Sequence, residues 1–221
     1  MSEASMRKRL YPEFARIGSA LASDKRLELL DLLAQAPRNV DALAAETAMP
    51  LASVSQHLQV LRAARLVETE RSGNKIVYRL ADPLVLRLWL TLRNVGQRRL
   101  AEVAQIEAEY RRESSPGLKL EDLDALLSEG KALLLDVRPR IEYESGHLPG
   151  AVCIPVDELQ GRLSELPSDC RIVTYCRGIY CAMSADAEVL LRERGFDVVR
   201  LEGGWPEWWD EGRDVSKLAS S

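Results

Sequence analysis

No stretch of the sequence approaches the roughly 18 uninterrupted apolar residues of a membrane-spanning helix. Residues Met1 to Phe14 mix charges with small side chains and form no apolar leader segment. A cytoplasmic protein is therefore expected. Cysteine is missing from the whole first half, because all four cysteines (Cys153, Cys170, Cys176 and Cys181) lie in the second. Thiol chemistry is thus set apart from whatever the first half does. In a reducing compartment, two cysteines on one loop point to catalysis, redox sensing or metal binding rather than to a structural staple.

With 221 residues, two domains of about 100 residues each are the natural division, and the charge follows it. Before Ser115 there are 18 Lys and Arg against 14 Asp and Glu, and after it 12 against 20. A mildly basic first half on a chain of net charge −4 suits a polyanionic partner. The run Ser114-Ser115-Pro116-Gly117 has the composition of a linker. The expected organisation is residues 1–113, a linker at 114–118, and residues 119–221.

In the first half, Leu27, Leu30, Leu33 and Ala34 recur at helical spacing over residues 24 to 35, with Ser23 or Asp24 as cap and Pro37 as stop. A short helix over Val40 to Thr47, a turn at Met49-Pro50 and a helix over Leu51 to Ala64 follow. The last of these is expected to bury Leu51, Val54, Leu58 and Leu61 and to turn Ser53, Ser55, Gln56, Gln59 and Arg62 outward, with His57 at the margin. Short polar side chains on a helix can hydrogen-bond base edges and phosphates in a major groove. An ordinary solvated helix face has the same composition. Two strands, 66–71 and 75–80, joined through Ser72-Gly73-Asn74, predict a hairpin with Arg71 and Lys75 near its tip. Asp82-Pro83 then opens an apolar-periodic helix running through Tyr110, roughly 40 Å long at 1.5 Å per residue. Leu84, Leu88, Trp89, Leu92 and Val95 are expected to pack on a second copy of the chain, which would give a homodimer with two recognition helices.

Asp24-Lys25-Arg26-Leu27, the run from Ser53 to Arg62, Leu66-Val67 and the hairpin together resemble the ArsR/SmtB winged-helix repressors over about residues 10 to 112. The resemblance implies a mostly α winged helix-turn-helix fold with a β-hairpin wing that binds double-stranded DNA. Many members bind metals. Here the 40–47 helix has no cysteine and the final helix no histidine, so no metal and no cofactor are expected.

In the second half, strands near 132–137, 152–154, 171–175 and 198–201 alternate with helices near 120–128, 159–166 and 182–194. That alternation predicts an α/β domain with a mostly parallel sheet and a ligand crevice beyond the strand C-terminal ends. Cys176 falls at such an end. A loop curling into a helix N-terminus would aim N–H groups at the sulfur, and Arg177 would add positive charge, two conditions that favour a thiolate. Gly178 would let the backbone turn back.

Leu135-Asp136-Val137-Arg138, Glu142-Tyr143, Gly146 to Ala151, and Gly203-Gly204-Trp205 with Trp208 resemble the rhodanese (sulfurtransferase) domain over residues 118 to about 214. The loop Cys176-Arg177-Gly178-Ile179-Tyr180-Cys181 has that family's six-residue length. The resemblance implies that Cys176 carries a sulfane sulfur as a persulfide and that His147 is structural. Ile179 and Tyr180 make this loop apolar where thiosulfate-using members are basic, so a low-molecular-weight persulfide or polysulfide is the expected donor. The related phosphatases grip phosphate with an arginine six residues after the cysteine, and here that residue is Ala182. Cys181, at the far lip of the loop, could attack a persulfide on Cys176 or could be a packed side chain. Cys153 and Cys170 are expected to be incidental. Two functions follow as expectations: a repressor that senses reactive sulfur through Cys176, or a sulfurtransferase with an accessory winged helix.

Overall fold

The computed structural model describes residues 2–111 and 117–216. Of the expected linker, residues 114–116 lie outside the described residues. By its internal contacts the chain divides into two compact units, Met1–Leu92 and Arg93–Ser221.

The first unit runs α1 (Glu3–Leu21), α2 (Asp24–Gln35), β1 (Arg38–Asn39), α3 (Val40–Thr47), α4 (Leu51–Ala63), β2 (Val67–Ser72), β3 (Lys75–Leu80) and the start of α5 (Pro83–Arg99). Leu29, Leu30, Leu33, Leu43, Val54, Leu58 and Leu61 form its core. Within α4, Val54, Leu58 and Leu61 stand at i, i+4 and i+7, so one stripe is fully buried and the opposite face stays in water. Leu51, expected in that stripe, is exposed instead, since the first turn of the helix projects past the core. β2 and β3 pair antiparallel around the two-residue turn Gly73-Asn74, with Ser72 opposite Lys75, and β1 adds a third strand on the outer edge of β3.

Two elements of this unit have no strong sequence signal. β1 is two residues long, and α1 buries only Ala20, so no apolar periodicity directed at a core announces either. Arg26 fixes the end of α1: its guanidinium donates to the Ala20 and Ser19 carbonyls at 2.5 and 2.9 Å, satisfying groups that a helix C-terminus leaves open. Buried Arg38 does similar work, donating to the Leu32 and Ala36 carbonyls and to Glu46.

The single helix expected from residue 83 to 110 is two, α5 and α6 (Ala101–Arg111), separated at Leu100. A side-chain hydrogen bond joins Gln97 to Glu107 at 2.9 Å. Ten residues of straight helix would hold their backbones about 15 Å apart, so the break at Leu100 is what brings them together. Trp89, expected at a subunit interface, donates its indole N–H to Asp31 of the same chain at 2.8 Å. Leu84, Leu88, Leu92 and Val95 are exposed.

The second unit continues with α7 (Leu120–Ser128), β4 (Ala132–Asp136), α8 (Arg140–Ser145), β5 (Val152–Cys153), α9 (Val156–Leu159), a 3-10 turn (Leu163–Glu165), β6 (Arg171–Cys176), α10 (Met183–Glu193), β7 (Val198–Gly204) and α11 (Trp205–Asp210). The four strands are parallel in the order β5-β4-β6-β7. Leu118 bonds to the outer edge of β7 through Arg200 and Glu202. The helix expected over 159–166 is replaced by α9 and the 3-10 turn, and α8 was not anticipated. Leu135, Val137, Ile154, Ile172, Ala187 and Leu191 pack around the strand that ends in Cys176.

Candidate functional site

On α4 the polar residues singled out above spread from the flanks of the buried stripe round to the opposite face. Gln56, Gln59 and Arg62 are exposed, and Ser53, Ser55 and His57 are half-buried. Arg71 and Lys75 are exposed at the hairpin, where Arg71 Nε donates to the Gly73 carbonyl at 3.2 Å and stiffens the turn. The helix and the hairpin are tied to one core through α2, whose Leu29, Leu30 and Leu33 meet Val54, Leu58 and Val67.

Cys176 ends β6, and the loop that follows leads into α10. Its sulfur has no exposed surface. Cys176, expected to face a crevice beyond the strand ends, is instead enclosed, with core side chains around the strand end. Burial raises the pKa of a thiol. Here the Cys181 thiol, the Ser184 hydroxyl and the backbone of Ser184 and Gly178 all hydrogen-bond the sulfur and outweigh burial, lowering Cys176 to about 7. Ser184 Oγ lies 3.2 Å from Cys176 Sγ, and the Cys181 and Gly178 carbonyls, at 3.5 and 3.9 Å, accept from the protonated thiol. The same hydrogen bond holds Cys181 far toward its protonated form, with burial and the Cys176 charge acting the same way. Of the two, Cys176 is the one whose thiolate is favoured and Cys181 the one held toward its protonated form. Cys153, by contrast, is pushed up to about 11, by burial and then by the Asp136 charge.

Arg177, expected to add positive charge at the sulfur, engages a buried carboxylate. Its guanidinium is spent on Glu142, with Nε at 2.9 and 3.0 Å from the two carboxylate oxygens and Nη2 at 2.5 Å. Glu142 is fully buried, so the pair anchors the loop to α8. Gly178 has φ +132°, and a Cβ there would come within 3.0 Å of both Glu207 carboxylate oxygens. Ile179 is half-buried and Tyr180 exposed. Beneath the loop, fully buried Asp136 accepts from Arg138 and, at 2.5 Å, from the Tyr175 hydroxyl. His147 is buried, stacked on Tyr143 and bonded to its carbonyl at 2.7 Å. Among the described residues no group of three or more His, Cys, Asp or Glu is placed to hold a metal ion.

Residues 23–69 match the arsR family of bacterial regulatory proteins, and residues 119–211 match the rhodanese-like domain. The HTH-type transcriptional regulator Rv0324 of Mycobacterium tuberculosis is 42% identical over 210 residues, 95% of this chain and 93% of that one. The chain belongs to the ArsR-family transcriptional regulators that carry a rhodanese-like domain. Two solved structures are also similar. One is the homodimeric winged helix-turn-helix DNA-binding domain Mb0332 from Mycobacterium bovis, with 40% identity, 45% of this chain and 91% of that one, and a TM-score of 0.43. The other is a rhodanese-related protein from Thermoplasma volcanium, with 27% identity, 47% of this chain and 100% of that one, and a TM-score of 0.43.

Three contributors to this regulator's thiol site went unrecognised in the sequence. Ser184 lies eight residues from Cys176, and only the fold of the loop returns it to the sulfur. Glu142 was visible as part of a motif, without its role as the partner of Arg177. Gly204 leaves room for the strand end, since a Cβ there would stand 2.1 Å from the Cys176 carbonyl oxygen. The double glycine Gly203-Gly204 was the available signal, and close backbone approach is its physical meaning.

Proposed function

We propose that this regulator is a cytoplasmic homodimeric repressor that binds a double-stranded DNA operator and senses reactive sulfur through Cys176. DNA is contacted by Ser53, Ser55, Gln56, His57, Gln59 and Arg62 on α4 and by Arg71 and Lys75 on the hairpin. The partner subunit covers the apolar faces left open on residues 83–110 (Leu84, Leu88, Leu92 and Val95) and on α1 (Met6, Leu10 and Phe14). The functional modules are residues 1–113 and 119–221 about the linker at 114–118.

The observation that carries the sensing role is the asymmetric thiol pair, Cys176 lowered to about 7 and Cys181 raised, at the start of α10. The Cys176 thiolate attacks the outer sulfur of a small persulfide R–S–SH; a new S–S bond forms to Cys176, the donor's own S–S bond breaks, and R–S⁻ leaves and takes up a proton. Cys181 then attacks the inner sulfur, expelling hydrosulfide and closing a Cys176–Cys181 disulfide. Two thiols are oxidised and the sulfane sulfur is reduced to sulfide. The disulfide form of the regulator binds DNA differently from the reduced form, as a switch requires. The sulfurtransferase reading keeps the first step and hands the sulfur to an outside acceptor instead.

Operator affinity before and after treatment with a low-molecular-weight persulfide or polysulfide tests the proposal, alongside Cys176→Ser. Release of DNA by the wild type and no response in the variant support it. Equal affinities throughout overturn sensing, and multi-turnover sulfur transfer without any change in DNA affinity replaces it with the enzyme.

A further inference from the structure

A thiol poised to ionise but without exposed surface reacts only when its loop opens. The most exposed side chain of that loop is Tyr180, 48% exposed, yet its hydroxyl is not left to water. It donates to Glu107 Oε1 at 2.8 Å and accepts from Gln97 Nε2 at 2.9 Å, and Gln97 Nε2 donates to the same Glu107 oxygen at 2.9 Å. Beside this triangle the Arg93 guanidinium lies 5.8 Å from the centre of the Tyr180 ring and pairs with Glu207. Glu207 in turn accepts from the Gly204 N–H at 2.8 Å and crowds Gly178. Arg93 Nε is buried with no hydrogen-bond partner, so this side chain is held in place at the expense of a satisfied donor. All of these residues lie within Arg93–Ser221.

We propose that Gln97 and Glu107 are positioning residues for the Cys176 loop, acting through the Tyr180 hydroxyl as a latch that keeps the thiol closed. The inference rests on the reading of Cys176 as the reactive centre and adds what governs access to it. The closed loop carries two hydrogen bonds that the open loop lacks, so their strength sets the open population. The effect is reciprocal. Whatever opens the loop frees Gln97 on α5 and Glu107 on α6, and whatever displaces those residues exposes the thiol by the same factor.

The experiment is the rate of iodoacetamide labelling of Cys176 against pH in the full chain, with labelling of buried Cys153 as an internal standard. Tyr180→Phe and Glu107→Ala should each raise the high-pH plateau about tenfold, what a hydrogen bond of ordinary net strength restrains, without moving the midpoint, because the donors to the sulfur are untouched. Glu107→Gln, which keeps an oxygen acceptor, should stay near the wild type, and the double variant should gain no more than Tyr180→Phe alone, which already removes both bonds. An unchanged plateau in Tyr180→Phe, or Cys153 accelerating in step with Cys176, overturns the latch while leaving the reactive centre intact. A wild-type Cys176 that labels no faster than Cys153 overturns both.

Discussion

Ser184 Oγ stands 3.2 Å from Cys176 Sγ, and the Ser184 carbonyl accepts from the Thr174 hydroxyl at 3.2 Å. The strand that delivers the thiol and the helix that receives it are therefore tied through one residue, which also serves the sulfur with its hydroxyl and backbone.

Removing that hydroxyl should show in the ionisation of Cys176. In Ser184→Ala the labelling midpoint should move up from about 7 toward the ordinary thiol range, by about one unit, because one stabilising hydrogen bond to the thiolate is lost while burial stays. The thiolate is the reactive form, so the rate rises with pH through the pKa and at neutral pH the variant should react several-fold more slowly. A midpoint left at about 7 would show that the hydroxyl does not face the charge.

Cys153 provides the contrast within the same molecule. With its pKa pushed up to about 11, it should label only in strongly alkaline buffer, where Cys176 has long reached its plateau. Peptide mapping after labelling across the pH range separates the two.

Arg177→Ala should cost stability rather than thiolate. It removes the Arg177 partner of the fully buried Glu142 carboxylate, a loss of about 3 kcal/mol by the usual cost of breaking a buried ion pair. The labelling midpoint of Cys176 should hold, since Glu142 already neutralises the guanidinium. Denaturant unfolding and the pH profile read the two effects independently, and the Glu142→Gln, Arg177→Ala pair should recover part of the loss.

Cys181→Ser should alter the product formed with a persulfide donor. The wild type is expected to lose two hydrogens as the disulfide closes, whereas the variant should retain one added sulfur on Cys176. Intact-mass spectrometry distinguishes them, and a disulfide-free wild type would remove Cys181 from the reaction.

At the DNA face, Arg71→Ala and Lys75→Ala should each lower the salt dependence of binding by about one counterion and weaken all DNA sequences alike. Gln56→Ala and Gln59→Ala should relax sequence preference more than they weaken binding. Titration against operator and unrelated DNA at several salt concentrations checks both.

The chain order of most elements was readable because their signals are local. Asp24–Gln35, Val40–Thr47 and Leu120–Ser128 follow from apolar spacing and punctuation, and the loop from Cys176 to Cys181 from an apolar strand meeting a glycine and a helix start. α1 and the break at Leu100 were not readable. The first buries almost nothing, and the second leaves α5 and α6 with the same helix-forming pattern on either side.

The residue types alone settled that a winged helix-turn-helix precedes an α/β unit and that one cysteine closes a strand, because hydrophobic period and turn chemistry act over a few neighbours. Folding decided the state of that cysteine: its burial, the substitution of Ser184 and Cys181 for Arg177 as the groups that favour its charge, and the hold of Gln97 and Glu107 on Tyr180. These depend on side chains from 5 to 83 positions apart, and only the packed chain fixes which of many possible partners meet.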